Sequence, residues 1–174
     1  MKSEYKKKLK NIKAFVFDVD GVLTNGDLYI LPDGKFMRKM NAKDGYAIKL
    51  AIHHGYKIAI ITGGREENIK TRLKNLGVHE VILKSHNKLP DMKKIIKRHK
   101  LKKEEVLYMG DDIPDLEVLR YIGFSTCPSD SVQEVKQNCN YISNRKGGEG
   151  CVRDVIEQTL KVVEKWDLNG TVKY

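Results

Sequence analysis

Apolar positions along this chain follow two alternating patterns. Short runs rich in β-branched residues occupy residues 14–18, 57–62, 80–83 and 106–110, with a shorter run at 122–126. Between them, apolar residues recur at helical spacing over 44–54, 65–76, 88–99 and 112–120. In the second of these, Ile69, Leu73 and Leu76 fall at i, i+4 and i+7 and make one buried stripe. Gly55 and Gly77 stand where helix C-terminal caps belong. A last helix is predicted over 150–166, with Val152, Val155, Ile156, Leu160 and Val163 facing the core. Alternation of this kind implies an α/β fold: a three-layer, Rossmann-like parallel sheet with helices on both faces. Ligands of such sheets bind beyond the carboxyl ends of the strands.

One element interrupts the alternation. Residues 28–31 and 35–40 flank Pro32-Asp33-Gly34, a turn tripeptide, and read as a β-hairpin inserted over about 27–40. A two-stranded hairpin is marginal by itself. Leu28, Ile30, Phe36, Met37 and Met40 would be better covered by another subunit, or by folding back on the same chain. The first eleven residues and the last half-dozen are polar enough to be mobile in isolation.

The 174 residues suit a single domain, with its core over about 12–166, and no apolar run approaches the ~20 residues that span a bilayer. The lysine-rich start lacks the hydrophobic segment of a signal peptide. Cys127, Cys139 and Cys151 include no Cys-x-x-Cys pair, which points to a reducing, cytoplasmic setting rather than to disulfides or zinc. The net charge of +10 favours an anionic partner. Many of the lysines fall on solvated helix faces, and no aromatic residues interleave with them for base stacking. The expected partner is therefore a small polyanion, with neither nucleic acid nor membrane.

The chemistry lies at the strand ends. Residues 15–24 read Phe-Val-Phe-Asp-Val-Asp-Gly-Val-Leu-Thr, a buried strand ending in two carboxylates at i and i+2. Strand alternation puts Asp18 and Asp20 on one side, where they repel unless a cation or phosphoryl chemistry holds them. The second strand closes in Thr62-Gly63-Gly64, which offers a hydroxyl and backbone donors to a phosphate, although Thr-Gly-Gly also makes an ordinary loop. Lys88 opens a helix, where a cation opposes the macrodipole and gains no structural advantage. It is either a site residue or a solvated surface lysine. The fourth strand runs into Gly110-Asp111-Asp112-Ile113-Pro114-Asp115, a second acidic cluster in which Asp112 or Asp115 could equally begin a helix. Hard oxygen ligands of this kind select Mg²⁺. One aspartate is then free to act as a carboxylate nucleophile on phosphorus.

These four motifs, in this order, resemble the haloacid dehalogenase superfamily of phosphatases. The resemblance implies that Asp18 is the nucleophile and that Asp20 is the general acid and base. It implies that Thr62 and Lys88 orient the phosphoryl group, and that Asp111, with the Asp18 carboxylate and the Asp20 carbonyl, ligates Mg²⁺ beside a supporting Asp112. The short inter-motif spacings leave no room for a cap domain. The first motif, the hairpin, Asn41-Ala42-Lys43-Asp44-Gly45, Asn87-Lys88-Leu89 and the stretch Gly147-Gly148-Glu149-Gly150-Cys151-Val152-Arg153 are similar to the capless subfamily acting on 3-deoxy-D-manno-octulosonate 8-phosphate. That likeness covers nearly the whole chain. It implies a homotetramer built through the hairpins, sites completed by neighbouring subunits, and a place in lipopolysaccharide biosynthesis. It also implies that Asn41, Lys43, Asp44, Gly45, Lys49, Gly63, Gly64, Arg65 and Arg72 join Asp20 and Lys88 in binding a phosphorylated keto-sugar acid. The family usually has arginine directly after Thr-Gly, where this chain has Gly64, so Arg65 is a candidate substitute. A nine-carbon branch acting on 2-keto-3-deoxynonulosonate 9-phosphate carries glutamate there and lysine on the next helix, against Gly64 and Asn75 here. Rival readings are a receiver-type signalling domain and a phosphatase-like regulator with a degenerate site.

Overall fold

The computed structural model describes residues 2–166. Helix α1 (Lys2–Lys10) precedes strand β1 (Ala14–Phe17), and a hairpin of β2 (Tyr29–Ile30) and β3 (Phe36–Met37) follows. Then come α2 (Ala42–His53), β4 (Lys57–Ile61), α3 (Glu67–Asn75), β5 (Glu80–Ile82) and α4 (Lys88–Arg98). The rest comprises β6 (Val106–Met109), α5 (Leu116–Tyr121), β7 (Phe124–Cys127), α6 (Gln133–Lys136), β8 (Tyr141–Ile142) and α7 (Cys151–Val162).

Six strands form one parallel sheet in the order β5-β4-β1-β6-β7-β8. This is the doubly wound arrangement, in which successive strands are laid outward first on one side of β1 and then on the other. The direction reverses between β1 and β6, which pair from Ala14↔Val106 to Phe17↔Met109. Their loops splay apart at the carboxyl end, so the crevice opens beside Asp18 and Asp111.

Alternation along β1 divides the core in two. Phe15 and Phe17 pack with Ile58, Ile60, Leu107, Met109, Ile48, Leu73 and Ile156 on one face. Ala14 and Val16 pack with Ala59, Ile61, Val106, Tyr108, Met92, Ile95 and Val118 on the other. Burial on both faces explains why these strands read as continuous apolar runs. Gly55 and Gly77 take φ values of 86° and 91° just past their helices, as helix-ending glycines do.

Three expectations change. The N-terminal segment is helical and docked rather than mobile: Leu9 is fully buried, and the Tyr5 hydroxyl donates to Gln158 Oε1 at 3.2 Å. The final helix ends at Val162 rather than Trp166. The strand β8 and the short α6 carry too few apolar residues to register in the periodicity. The last half-dozen residues lie outside the described part of the chain. Among the described residues the hairpin is the insertion after β1, and no cap domain follows it.

Candidate active site

The backbone leaves β1 at Phe17, and the Asp18 N–H still bonds the Met109 carbonyl at 3.0 Å. Asp18 is thereby fixed at the mouth of the sheet. Three residues on, Gly21 adopts φ 80°, and a Cβ there would fall 1.9 Å from Asp111 Oδ2. Only glycine lets the first loop turn away while the second acidic loop closes against it.

A cleft of about 510 Å³ opens at this point. Asp18, Asp20, Thr62, Gly63, Gly64, Lys88, Asp111 and Asp115 all line it, with Ser85 and His86 on its wall. Lys88 is buried, and its Nζ donates to Asp18 Oδ2 and to Asp115 Oδ1, each at 2.7 Å. The alternative of a solvated surface lysine is therefore excluded. Burial opposes the Lys88 ammonium, but Asp18 and Asp115 beside it push its pKa above the usual lysine value.

Carboxyl oxygens of Asp18, Asp111 and Asp115 lie within 4.8 Å of one another. Burial pushes the Asp18 carboxyl up to about 7, with Asp115 adding to the rise while Lys88 and the Val19 N–H oppose it. Asp111 is pushed up to about 8, first by burial and then by the charges of Asp18 and Asp115. Its Oδ1 is buried with no hydrogen-bond partner among the described residues. Crowded carboxylates with an orphaned inward oxygen fit a hard divalent cation such as Mg²⁺. Asp115 has little left to give such an ion. Its Oδ1 accepts from Lys88 and, through a very short contact, from the Tyr108 hydroxyl, and its Oδ2 accepts from the backbone N–H of Asp111 and Asp112.

On the opposite wall Thr62 is buried, and its Oγ1 accepts from the Gly64 N–H at 3.0 Å. The loops after β4 and β5 are tied together by Ser85 N–H to the Thr62 carbonyl and Lys84 N–H to the Gly64 carbonyl. Asp20 stands at the cleft edge, where the guanidinium of Arg38 grips both its oxygens, Nε at 2.6 Å and Nη2 at 3.2 Å.

Other expected residues are elsewhere. Asn41 caps α2, accepting from Lys43 N–H at 2.9 Å and donating to the Gly148 carbonyl. Asp44 is buried and accepts from Arg153 N–H in the first turn of α7 at 2.7 Å, so in this chain it caps a distant helix. Gly45 packs against Leu76 and Arg72, whose side chains approach its Cβ position to 3.3 Å. Lys43, Lys49, Arg65 and Arg72 do not line the cleft. Arg72 instead borders a smaller hollow beside Phe36 and Arg38. Asp112 also lines the cleft, exposed and with its Oδ1 accepting from the Ile113 N–H, while Asp115 is the residue of this loop that bonds Lys88. The sequence reading thus missed Asp115 and Arg38 as site residues. For Asp115 the signal available was its i+4 spacing from Asp111. For Arg38 there was none, since hairpin basic residues are ordinarily solvated.

Residues 76–155 match the haloacid dehalogenase-like hydrolase model. The chain is 31% identical over 160 residues to the 3-deoxy-D-manno-octulosonate 8-phosphate phosphatase KdsC of Escherichia coli strain K12, covering 92% of this chain and 85% of that protein. The Yersinia pestis phosphatase of the same name superposes with a TM-score of 0.90 at 30% identity, over 92% of this chain and 86% of that one. The Moraxella catarrhalis phosphatase, solved with magnesium, phosphate and KDO, gives a TM-score of 0.90 at 31% identity, over 93% of each chain.

Proposed function

This chain belongs to the 3-deoxy-D-manno-octulosonate 8-phosphate phosphatase family of haloacid dehalogenase-like hydrolases, and we propose that it hydrolyses that eight-carbon sugar-acid phosphate to the free sugar acid and inorganic phosphate. The observation that carries the reading is the meeting of Asp18, Thr62, Lys88 and Asp111 in one cleft at the reversal point of the sheet. In the reaction, Asp18 attacks phosphorus and the bond to the sugar oxygen breaks, leaving an aspartyl-phosphate. Asp20 gives its proton to the departing alkoxide. It then takes a proton from water, which attacks the intermediate and restores the Asp18 carboxylate. Lys88 and Thr62 hold the phosphoryl oxygens, and Asp115 keeps the Lys88 ammonium aimed. Asp18, Asp111 and the Asp20 carbonyl would hold Mg²⁺, which when bound supplies positive charge that offsets repulsion between carboxylates and phosphate.

The assembly we propose is a homotetramer formed through the hairpins, in the cytoplasm, within lipopolysaccharide biosynthesis. Exposed Tyr29, Ile30 and Met37 support the first point, and three free thiols support a reducing compartment. Asn41, Lys43, Lys49, Arg65 and Arg72 belong to substrate recognition in this assembly, where one chain's surface helps to close its neighbour's site.

Phosphate release from a panel of eight- and nine-carbon keto-sugar phosphates, with and without Mg²⁺, tests the reading. The eight-carbon ester should have the highest kcat/KM, chelation should abolish turnover, and Asp18→Asn should be inactive but folded. A preference for the nine-carbon ester would move the substrate, and activity in Asp18→Asn would remove the nucleophile assignment.

A further inference from the structure

The hairpin has two faces of opposite character. Outward it exposes apolar side chains, with Ile30 at 76%, and its ladder is two residue pairs long. Inward, Arg38 just after β3 is only 6% exposed. Its guanidinium makes three hydrogen bonds: two to the Asp20 carboxylate and one, from Nη1 at 2.9 Å, to Glu66 Oε2. Glu66 Oε2 is held in turn by the Arg65 N–H at 3.0 Å. Glu66 thus anchors the guanidinium from the loop after β4, while the Phe36 ring lies 5.9 Å beneath it. Gly64 lies beside this arrangement: a Cβ there would meet Glu66 Oε2 at 3.5 Å and Arg38 Nη2 at 3.7 Å in ordinary contact, and Thr62 Oγ1 more tightly at 3.3 Å.

Asp20 needs such a partner. Its side chain is 35% exposed at the cleft rim, away from the Lys88–Asp115 network that fixes Asp18. A carboxylate there has free rotation about χ1 and χ2, whereas general acid–base transfer demands hydrogen-bond reach to one oxygen of the substrate. A planar guanidinium gripping both oxygens removes that freedom, as a lysine ammonium contacting one point does not. We propose that Arg38 is a positioning residue for the phosphatase reaction: delivered by the hairpin and anchored by Glu66, it sets the orientation from which Asp20 serves the leaving group. The inference rests on the hydrolase reading and adds a dependence of the proton-transfer step on hairpin order.

The test exploits the leaving group. An alkyl phosphate, sugar ester included, must have its departing oxygen protonated, whereas p-nitrophenolate leaves without a proton. Arg38→Gln should lower kcat/KM for alkyl esters by about 10²-fold, within the range for losing general acid help. For p-nitrophenyl phosphate the loss should stay under about 5-fold. Arg38→Lys should recover only part of the alkyl-ester rate, because it cannot grip both oxygens. Glu66→Gln should show the same selective loss in milder form. Melting temperatures of all three should stay close to that of the parent, since the contacts lie at the rim. Equal losses on both ester classes, a rise in KM with kcat unchanged, or no effect would each overturn the assignment of Arg38 alone. Failure of the parent protein to hydrolyse any monoester would instead remove the hydrolase reading and this inference with it.

Discussion

Asp115 carries more of the site than its place in the chain suggests. Four donors converge on its two oxygens: Lys88 and Tyr108 on one, and the N–H groups of Asp111 and Asp112 on the other. An amide at this position must turn its NH₂ toward one pair of donors, so Asp115→Asn should strand two buried groups. Each costs about 1–3 kcal/mol, and more where a charge is involved. Chemical denaturation should therefore show a loss of about 3 kcal/mol or more, with turnover falling because Lys88 loses the negative charge of one of its two carboxylate partners. Unchanged stability in Asp115→Asn would show that the network is dispensable. Asp18, Asp20, Thr62, Lys88 and Asp111 were legible in the sequence because each stands where an apolar run stops or a helix begins. Asp115 was hidden by an adequate local explanation, since an acid beside Pro114 also starts a helix. Arg38 was hidden because its partners lie 18 and 28 residues away, beyond any local pattern.

At the scale of elements, α2 and α7 are joined by a charge that looked like a substrate ligand. Asp44 in the first turn of α2 accepts from Arg153 N–H in the first turn of α7. A helix N-terminus favours a carboxylate, yet burial dominates here and pushes the Asp44 pKa up to about 6. The folded protein then binds a proton more tightly at Asp44 than the unfolded chain does. Between about pH 4 and pH 6 the native state carries more protons, so the contribution of this group to stability falls as pH rises. The full penalty, about 3 kcal/mol for a shift of this size, is reached above pH 6. Asp44→Asn keeps an acceptor for the Arg153 N–H and cannot ionise. The stability difference between variant and parent should therefore grow in favour of the variant from pH 4 to pH 6.5. A difference flat with pH would mean that Asp44 titrates as it does in the unfolded chain. Strands β1, β4, β5 and β6 and helices α2, α3 and α4 were legible within two residues, because core burial on both faces dictates the apolar runs of the strands, while the start of α5 and the end of α7 were each misplaced by four. The docking of α1 was not legible, since one buried leucine and one tyrosine among lysines leave no periodic signal.

For the whole molecule the sheet order is the feature that sequence alternation leaves open, because alternation requires a parallel sheet without saying which strands are neighbours. Pairing β1 with both β4 and β6 is what brings three separated motifs to one crevice. The same geometry leaves the hairpin projecting, with Leu28, Tyr29, Ile30, Leu31 and Met37 all exposed. A stable subunit interface buries roughly 800 Å² per partner, more than so small a hairpin offers unless several copies share it. Closed symmetry meets that need by letting each hairpin contact more than one neighbour. Light scattering should accordingly give the mass of four 20.0 kDa chains, about 80 kDa. Ile30→Lys places a charge on the most exposed apolar position and should shift the mass downward. Turnover should fall with it, because Arg38 rides on the same hairpin and loses the support that keeps Asp20 in place. A parent protein of 20.0 kDa in solution would refute assembly through the hairpin. A lysine variant that stays tetrameric would move the interface to another surface.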